Sequence, residues 1–579
     1  MRVLLLHPED DVEGSWSRER WDLIVDLGRA PKSSYEEWSC RLGCRIFSIF
    51  DLAVEVEDLR VWRGLLALGM GRVVDRCGID WWDVFGLLLQ AELANMRLVT
   101  RLAEVLRLCR TLAVTRSSVM ADALQVQLGI PLTVFQSGLG LRVTNRVLRY
   151  GTRLANLSFE QLRQVAYDKF DTQYVWRRKF ARAPEQKSEP VILLPTAYSN
   201  VTKTALQYAR RLPEQRFLLV LARESAAASN LPANVRMLPL AVFARKPAVQ
   251  GEVQELANCW IRLEQHLQEL VEFRLAVQVG ILKQGQNWLR WGLSVRDAWR
   301  QVFATNVIAG CLSADDSNPY TRIPLLVARQ QGVSAVACHH GALDGRMAFK
   351  TPCFSTYLTQ GEMERDYLER ICVVDAWRIR IGAAGSSEDN RLLWSDNSPW
   401  IVFFTEPYET DLWRTEAVYR EVLPRLCAAG RAAGKAVLLK LHPFESARQR
   451  RRLVKRALSE NDQKLVSVTD APLSAEILSK TWCAVTVEST TALECAVVGI
   501  PVFLCGWMRH VYAGYALQYV RFGVGRMMEW PDQLLRIPEM LKEGMPAAGV
   551  AKRLLQTISS EELSRVLLQS STGTFAKVR

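Results

Sequence analysis

Short apolar runs alternate with longer helical patterns along most of this chain. Apolar runs of strand length occur at 3–6, 23–25, 46–50, 112–114, 190–195, 217–221 and 307–311. Helical patterns lie between them, for example at about 59–108. Strands that alternate with helices predict parallel sheets, because parallel neighbours need a long crossover connection. The sequence therefore predicts an α/β fold.

The length of the chain indicates several domains. At 579 residues it exceeds what one compact core accommodates, so roughly two to four domains are expected. Hydrophobic residues make up 49% and charged residues 23%, which excludes a disordered chain. A polar stretch at 181–190 predicts a linker or long surface loop, and a Gly/Ser segment at 383–387 predicts a hinge between two lobes.

Cysteine usage and the N-terminus bear on the compartment. The 13 cysteines lie between Cys40 and Cys505 without the paired spacing of a metal site, so we expect reduced thiols. No run of about 18 apolar residues occurs, and the run Val3–Leu6 is too short for a signal peptide. The sequence predicts a protein of the cytoplasm or of the inner face of the membrane, without a cofactor.

A polar loop with a histidine follows one of the apolar runs. The run Ala436–Leu441 has the aliphatic content of a buried parallel strand, and Lys440-Leu-His-Pro-Phe-Glu-Ser446 continues from its end. His442 and Pro443 are therefore expected at the C-terminal end of a strand, where open α/β sheets bind ligands.

A second polar loop leads into a helix. It reads Glu488-Ser-Thr-Thr-Ala-Leu-Glu494, follows the apolar run 483–487, and opens a predicted helix at 492–498. Gly499 and Pro501 then mark the end of that helix.

The start of this helix is suited to an anion. The first backbone N–H groups of a helix lack internal partners and lie at the positive end of its dipole, so a phosphate is stabilised there. The hydroxyls of Ser489, Thr490 and Thr491 add donors, and the Glu494 carboxylate could accept hydrogen bonds from a ribose. In the alternative interpretation, Ser489 only caps the helix and Glu494 is a solvated helical residue.

The order of these motifs resembles a known family. Lys440-Leu-His-Pro443, followed about 45 residues later by Ser489-Thr-Thr491 with Glu494, Gly499 and Pro501, resembles the nucleotide-binding half of GT-B-fold transferases. The resemblance covers about 311–506. It is strongest to enzymes that use cytidine nucleotides, namely bacterial sialyl- and Kdo-transferases and CDP-glycerol glycerophosphotransferases. UDP-sugar transferases and UDP-sugar 2-epimerases are similar at the second motif.

The resemblance implies two Rossmann-like lobes that face a cleft, with an α/β N-terminal extension and a helical C-terminal tail. We divide the chain into an N-terminal region at 1–180, separate or part of the first lobe, an acceptor-side lobe at 188–385, a donor-nucleotide lobe at 398–535 and a tail at 536–579. Lys440, His442, Glu488, Ser489, Thr490, Thr491 and Glu494 are the implied donor-binding residues.

A second histidine motif is the predicted source of the catalytic base. An apolar run ends in His339-His-Gly341, and neighbouring strand residues point to opposite faces, so one of the two rings is expected in the cleft. His340 with Gly341 resembles the His-Gly step of the CDP-glycerol enzymes. Asp344 with Gly345 resembles the acidic motif of bacterial sialyltransferases, although one acid stands here instead of two. Alternatively, His339 is packed and His340 bonds a loop.

The loop around Asp315 and Asp316 is acidic but is not expected to hold a metal. Asp and Asn before Pro319 form a good turn, and transferases of the resembled fold neutralise the leaving phosphate with helix termini and basic groups. We therefore predict metal-independent chemistry.

The charge balance favours an anionic partner. The net charge is +13, and part of the excess lies in the segment Arg448–Arg456. On a helix, Arg448, Arg452, Lys455 and Arg456 share one side, which is either a solvated face or a surface for anionic lipid or acidic glycan. No recognised nucleic-acid-binding module occurs, so no nucleic acid is expected.

The resemblance implies a transferase of surface polysaccharide or capsule biosynthesis. Its donor would be CMP-, CDP- or UDP-linked, with a CMP-sugar or CDP-polyol preferred, and its acceptor a glycan or a lipid-linked molecule. Transfer from a sugar donor would invert the donor carbon. The alternatives are a UDP-sugar transferase, a UDP-GlcNAc 2-epimerase-like enzyme, and a non-catalytic nucleotide- or glycan-binding protein.

Overall fold

The computed structural model contains three parallel β-sheets. It describes residues 1–12, 14–135, 187–244, 250–341, 343, 351–385, 394–509, 515–544 and 553–569. We refer to the sheets as the N-terminal, first-lobe and second-lobe sheets, in chain order.

The N-terminal sheet has five strands in the order β3-β2-β1-β4-β5, all parallel. They are β1 (Arg2–Leu6), β2 (Leu23–Asp26), β3 (Arg45–Ser48), β4 (Thr111–Val114) and β5 (Leu132–Val134). The first-lobe sheet has seven parallel strands in the order β12-β11-β10-β9-β6-β7-β8. They are β6 (Lys187–Thr196), β7 (Phe217–Leu221), β8 (Val235–Pro239), β9 (Asn306–Ser313), β10 (Ser334–Cys338), β11 (Thr356–Thr359) and β12 (Ile379–Ile381).

The second-lobe sheet has six parallel strands in the order β15-β14-β13-β16-β17-β18. They are β13 (Trp400–Phe404), β14 (Ala436–Lys440), β15 (Val466–Thr469), β16 (Thr481–Thr486), β17 (Val502–Cys505) and β18 (Arg526–Met528). In all three sheets the strand order reverses beside the first strand, as in doubly wound folds, and ligands bind at the carboxyl ends there. The predicted fold class is confirmed: two Rossmann-like lobes follow an α/β N-terminal unit.

Helices connect the strands. They are α1 (Lys32–Leu42), α2 (Glu55–Leu68), α3 (Trp81–Val105), α4 (Val119–Leu128), α5 (Ser199–Arg211), α6 (Gln250–Leu267), α7 (Val271–Gln278), α8 (Lys283–Thr305), α9 (Pro319–Gln330), α10 (Glu362–Arg370), α11 (Thr415–Ala433), α12 (Ala447–Ala457), α13 (Glu460–Gln463), α14 (Ala475–Ser479), α15 (Thr491–Val497), α16 (Tyr515–Arg521), α17 (Ile537–Lys542) and α18 (Ser560–Leu568). None of the described helices is long and apolar enough to cross a bilayer.

Local sequence explains where elements begin and end. The predicted strand at 46–50 ends at Ser48, because the Ser48 hydroxyl accepts the N–H of Phe50 and starts a 3-10 turn. Asp80 caps α3 by accepting the N–H of Trp82 at 3.0 Å. Trp81 and Trp82 are buried in the core.

Buried ion pairs join the N-terminal unit to both lobes. Arg322 of α9 is fully buried and donates to the Asp83 carboxylate of α3 at 2.7 Å. In the second lobe, Arg414 lies 2.8 Å from the buried Asp26 at the end of β2. Removing one partner of such a pair leaves an uncompensated charge inside the protein. The N-terminal unit is thus packed against both lobes.

The C-terminal segment returns to the first lobe. Helix α17 packs in the core of the second lobe through Ile537 and Met540. Further on, Thr557 pairs with Ala383, and Ser334 of β10 donates its hydroxyl to the Val566 carbonyl of α18 at 2.8 Å. The helical tail therefore spans both lobes. The predicted hinge at 383–387 and the predicted linker at 181–190 each lie partly outside the described residues.

Candidate functional site

Two of the predicted motifs meet across the cleft between the lobes. A Cβ atom placed on Gly341 of the first lobe would lie 3.4 Å from Cγ2 of Thr490 in the second lobe. The N–H of Leu343 donates to the Tyr515 hydroxyl at 3.2 Å, and the Tyr519 hydroxyl donates to the Ser489 carbonyl at 3.4 Å. Because both loops follow the carboxyl ends of strands, the cleft has the location expected for a ligand site.

His442 is held as a neutral hydrogen-bond donor. Its backbone N–H donates to the Glu445 carboxylate at 2.7 Å. Its Nδ1 accepts the N–H of Phe444 at 3.2 Å, so the ring proton of the neutral form resides on Nε2. Burial, with the charge of Lys440, lowers the pKa of His442 and favours this form. The Nε2–H group can donate to an anion.

Lys440 ends strand β14 beside this loop. Its ammonium is buried and donates to the Leu441 carbonyl at 2.7 Å. Burial lowers its pKa, while Asp470, Glu445 and Glu494 oppose that effect.

The hydrogen-bonding groups of the Ser/Thr loop bond to one another more than the sequence predicts. Ser489 Oγ accepts the Thr491 N–H at 3.4 Å and the Thr491 hydroxyl at 3.0 Å. The Ser489 carbonyl accepts the Ala492 N–H at 3.0 Å, and the Thr490 carbonyl accepts the Leu493 N–H at 3.1 Å. Helix α15 has only seven residues. The premise of unpartnered backbone donors is wrong at these positions, and the exposed Thr490 side chain is the group that faces the cleft.

Two glutamates flank this loop. The N–H of Glu488 donates to the Glu406 carboxylate at 2.7 Å, which fixes the end of β16. Glu494 is solvent-accessible, yet the protein around the cleft desolvates its carboxyl and raises its pKa, while Lys203 and Lys440 oppose the rise. Lys203 belongs to α5 of the first lobe, so charged groups of both lobes influence this position.

His339 and His340 lie against each other. Strand β10 ends at Cys338, so strand alternation does not apply, and the two ring centroids are 4.5 Å apart. The expectation that the rings point to opposite faces is therefore wrong. Nδ1 of His340 is 3.3 Å from the Ala314 carbonyl and must be the donor, which leaves the lone pair of the neutral ring on Nε2. In that tautomer, Nε2 is the ring nitrogen that can accept a proton.

Asp344 lies outside the described residues. In the acidic loop after β9, both aspartates contact other described residues of the protein. Asp315 accepts bonds from Ser317 and Asn318, and the buried Asp316 lies 3.9 Å from Arg322. No group of side chains with metal-ligand geometry occurs among the described residues.

Sequence reasoning missed two features of the site. Lys203, the fifth residue of the helix that follows the central strand β6, has no motif around it. Arg450 was read as part of a basic run, but it is buried and pairs with Glu409 and Glu445. No local signal distinguishes it from its exposed neighbours.

No protein-family model matches this sequence. No curated protein matches it either. Among solved structures, UDP-GlcNAc 2-epimerase from Methanocaldococcus jannaschii is similar over 65% of this chain and 98% of its own, with 11% identity and a TM-score of 0.38. MurG from Acinetobacter baumannii is similar over 66% and 99%, with 10% identity and a TM-score of 0.38. The wall teichoic acid polymerase TagF is similar over 71% and 96%, with 8% identity and a TM-score of 0.36.

Proposed function

We propose that this chain is a metal-independent transferase that uses a nucleotide-activated donor, with a CMP-sugar or CDP-polyol as the preferred class. The observation that carries the proposal is the approach of two loops across the cleft. One loop holds a histidine with its lone pair on Nε2, and the facing lobe holds a neutral histidine with a proton on Nε2.

The two lobes bind different substrates. The lobe at 398–535 holds the donor nucleotide through Lys440, His442, Glu488, Ser489, Thr490, Thr491 and Glu494. The lobe at 188–385 holds the acceptor and supplies the base. Support comes from the location of both loops at the carboxyl ends of parallel strands. The Ser489 loop follows β16, which borders the point where strand order reverses, and the His340 loop follows β10, one strand away from that point.

The chemistry is one displacement. Nε2 of His340 takes the proton of an acceptor hydroxyl as its oxygen attacks the donor carbon, or the donor phosphorus for a polyol phosphate. The bond to the leaving phosphate breaks, and the nucleotide departs with the electron pair. His442 Nε2–H, the Thr490 hydroxyl and the ammonium groups of Lys203 and Lys440 stabilise the charge on that phosphate. A single displacement inverts a sugar donor carbon.

Asp344 is the alternative base. Variants separate the two assignments: His340→Ala should lower turnover on the order of 10²-fold if His340 takes the proton, and Asp344→Asn should do so if Asp344 takes it. Product formation from a labelled donor and a glycan or lipid-linked acceptor is the measurement. Wild-type activity in both variants would show that neither His340 nor Asp344 is the catalytic base.

The same assay decides among donor classes. Release of CMP from a CMP-sugar or CDP-polyol in the presence of acceptor supports the proposal. Conversion of UDP-GlcNAc without acceptor would identify an epimerase-like enzyme instead. No consumption of any nucleotide donor would leave a binding protein.

We also propose that the protein works at the cytoplasmic face of an anionic membrane in surface polysaccharide assembly. Support comes from α12, where the side chains of Arg448, Arg451, Arg452 and Lys455 are exposed. Phe444, which precedes this helix, is 75% exposed. An exposed aromatic ring beside several cations suits the surface of an anionic bilayer.

A further inference from the structure

The carboxyl end of the N-terminal sheet is occupied by a side chain of the second lobe. Arg414 donates from Nε and Nη2 to the two carboxylate oxygens of Asp26, each at 2.8 Å. It also donates to the backbone carbonyls of His7 at 3.1 Å and Asp10 at 2.6 Å. Doubly wound sheets bind ligands at this point. In the N-terminal sheet, the Arg414 guanidinium lies at the carboxyl ends of β1 and β2, beside that point.

Backbone hydrogen bonds hold the same segment of the second lobe. The Arg29 N–H donates to the Leu412 carbonyl at 2.8 Å, and the Arg414 N–H donates to the Arg29 carbonyl at 2.7 Å. Leu412 has a φ of +62°, in the left-handed region. Leu412 is the C-cap of the 3-10 turn Tyr408–Asp411, and its N–H donates to the Glu409 carbonyl at 3.3 Å. The N-terminal unit thus anchors the end of the segment 407–414 through the backbones of Leu412 and Arg414.

The other end of this segment connects to the donor loop. Glu409 accepts two parallel hydrogen bonds from Arg450, at 2.6 and 2.7 Å. Nε of Arg450 donates to Glu445 Oε1 at 2.8 Å, and Glu445 Oε2 accepts the backbone N–H of His442 at 2.7 Å. Arg450 and Glu445 are 4% and 3% exposed, so solvent screens the ion pair between them little.

We propose that the N-terminal unit positions His442 for donor binding through the connected groups Arg414, Glu409, Arg450 and Glu445. Arg450 is the central positioning residue, because its guanidinium bonds both Glu409 of the docked segment and Glu445, whose carboxylate accepts the His442 N–H. The role of His442 in donor binding rests on the proposed function; the mechanical link from the N-terminal sheet to the His442 ring does not.

The network is suited to transmit a displacement. Bidentate arginine–carboxylate pairs fix both distance and orientation. A buried charge whose partner moves must follow it or remain uncompensated, so small shifts of Glu409 are passed to Glu445. Undocking of the N-terminal unit releases Leu412 and Arg414, which follow the turn that carries Glu409. Glu409 then moves relative to Arg450, and the His442 loop loses its fixed geometry.

The test is the histidine side-chain NMR spectrum of the full-length chain with isotope-labelled histidine. His442→Gln identifies the His442 resonance among the six histidines. Arg414→Ala, which does not touch His442, should shift that resonance and reduce the population with the proton on Nε2. The matched control is Arg420→Ala on α11, which removes an exposed arginine paired with Glu416 and should leave the His442 resonance in place.

Two further measurements sharpen the outcome. In the double variant Arg414→Ala with Glu409→Gln, the shift should not exceed that of the larger single variant, because both act through one connection. If Arg414→Ala does not fold, the His442 resonance of Glu409→Gln alone tests the link. Glu409 is 55% exposed, so we expect this variant to fold. Nucleotide affinity in these variants should fall on the order of tenfold.

The spectrum is recorded without nucleotide, so it remains decisive if the proposed function fails. A protein that binds no nucleotide refutes the donor site, whereas its His442 resonance still reports on the link. An unchanged His442 resonance in a folded Arg414→Ala protein would overturn the inference. Additive shifts in the double variant would also overturn it, because they would show two independent effects.

Discussion

Gly341 and Thr490 face each other from different lobes, and a Cβ atom on Gly341 would lie 3.4 Å from the Thr490 methyl carbon. That distance is ordinary van der Waals contact, so the space between the lobes accommodates one additional methyl group here and little more. The loop that carries the proposed base His340 and the proposed donor loop at Thr490 are therefore close to van der Waals contact.

Substitutions at Gly341 should measure how closely the lobes must approach. Gly341→Ala should retain activity, because its methyl group fits the gap. Gly341→Leu should hold the loops apart and lower turnover on the order of 10²-fold, as misplacements of about 1 Å do. The midpoint of thermal unfolding should change little in either variant. Full activity of Gly341→Leu would show that the two loops do not act together.

His442 should make the stability of the protein depend on pH. Burial lowers its pKa below the usual 6.5, so below that value the unfolded chain binds more protons than the folded one. Its stabilising contribution is complete above the usual pKa and is lost as the pH falls toward the folded pKa. Denaturant unfolding across this range should show a shallower slope for His442→Gln than for wild type. Identical slopes would mean that the ring is not buried as a neutral group.

Glu364 should make the stability of the protein fall, rather than rise, with increasing pH. Its carboxyl is buried, accepts the Gln360 N–H at 2.6 Å, and has no partner for Oε1 among the described residues. Burial raises its pKa from 4.5 to about 8. The folded protein therefore holds this proton while the unfolded chain releases it, and stability falls as the pH rises between these values.

Glu364→Gln should remove this dependence. The free energy of unfolding should rise in the variant at about pH 8 and above, and match wild type near pH 5, because a neutral amide replaces a carboxyl that ionises only in part of the range. The control is Glu362→Gln on the same helix, where the carboxylate is 41% exposed and pairs with Arg553. A gain of the same size in the control would contradict the assignment.

The basic face of α12 should bind anionic vesicles. The double variant Arg451→Glu with Arg452→Glu should weaken binding to phosphatidylglycerol vesicles on the order of tenfold or more, since each cation near such a surface contributes about 1 kcal/mol. Arg107→Glu with Arg110→Glu changes the same charge at exposed positions of the N-terminal unit. Equal losses in both double variants would indicate a general charge effect, and no loss would refute the surface.

The parts of the fold that could be predicted are those that leave a pattern in a short stretch of sequence. Central strands such as Phe217–Leu221 and Ala436–Lys440 are buried on both faces, so they read as unbroken apolar runs. Polar residues that follow such runs are placed at the carboxyl edge of a sheet by connectivity alone. For this reason the sequence could place His340, His442 and Ser489 just after the carboxyl ends of strands, which are β10, β14 and β16.

Features that depend on contacts between distant segments were not predictable. Arg450 reads as one of several solvated arginines, and its burial follows from Glu409, which is 41 residues away. The paired histidine rings depend on where β10 ends, and one residue decides whether strand alternation applies. Lys203 acquires significance only because the facing lobe brings Glu494 near it.

The donor site itself is the central claim, and nucleotide-dependent thermal stabilisation tests it most directly. CMP, CDP, UDP, UMP, GDP and ADP are each compared on wild type and His442→Ala, since a ligand at 100 times its dissociation constant stabilises a protein by about 2.7 kcal/mol. We expect stabilisation by cytidine nucleotides that is lost in His442→Ala. The absence of a shift with every nucleotide, or an equal shift in the variant, would contradict a donor site at His442.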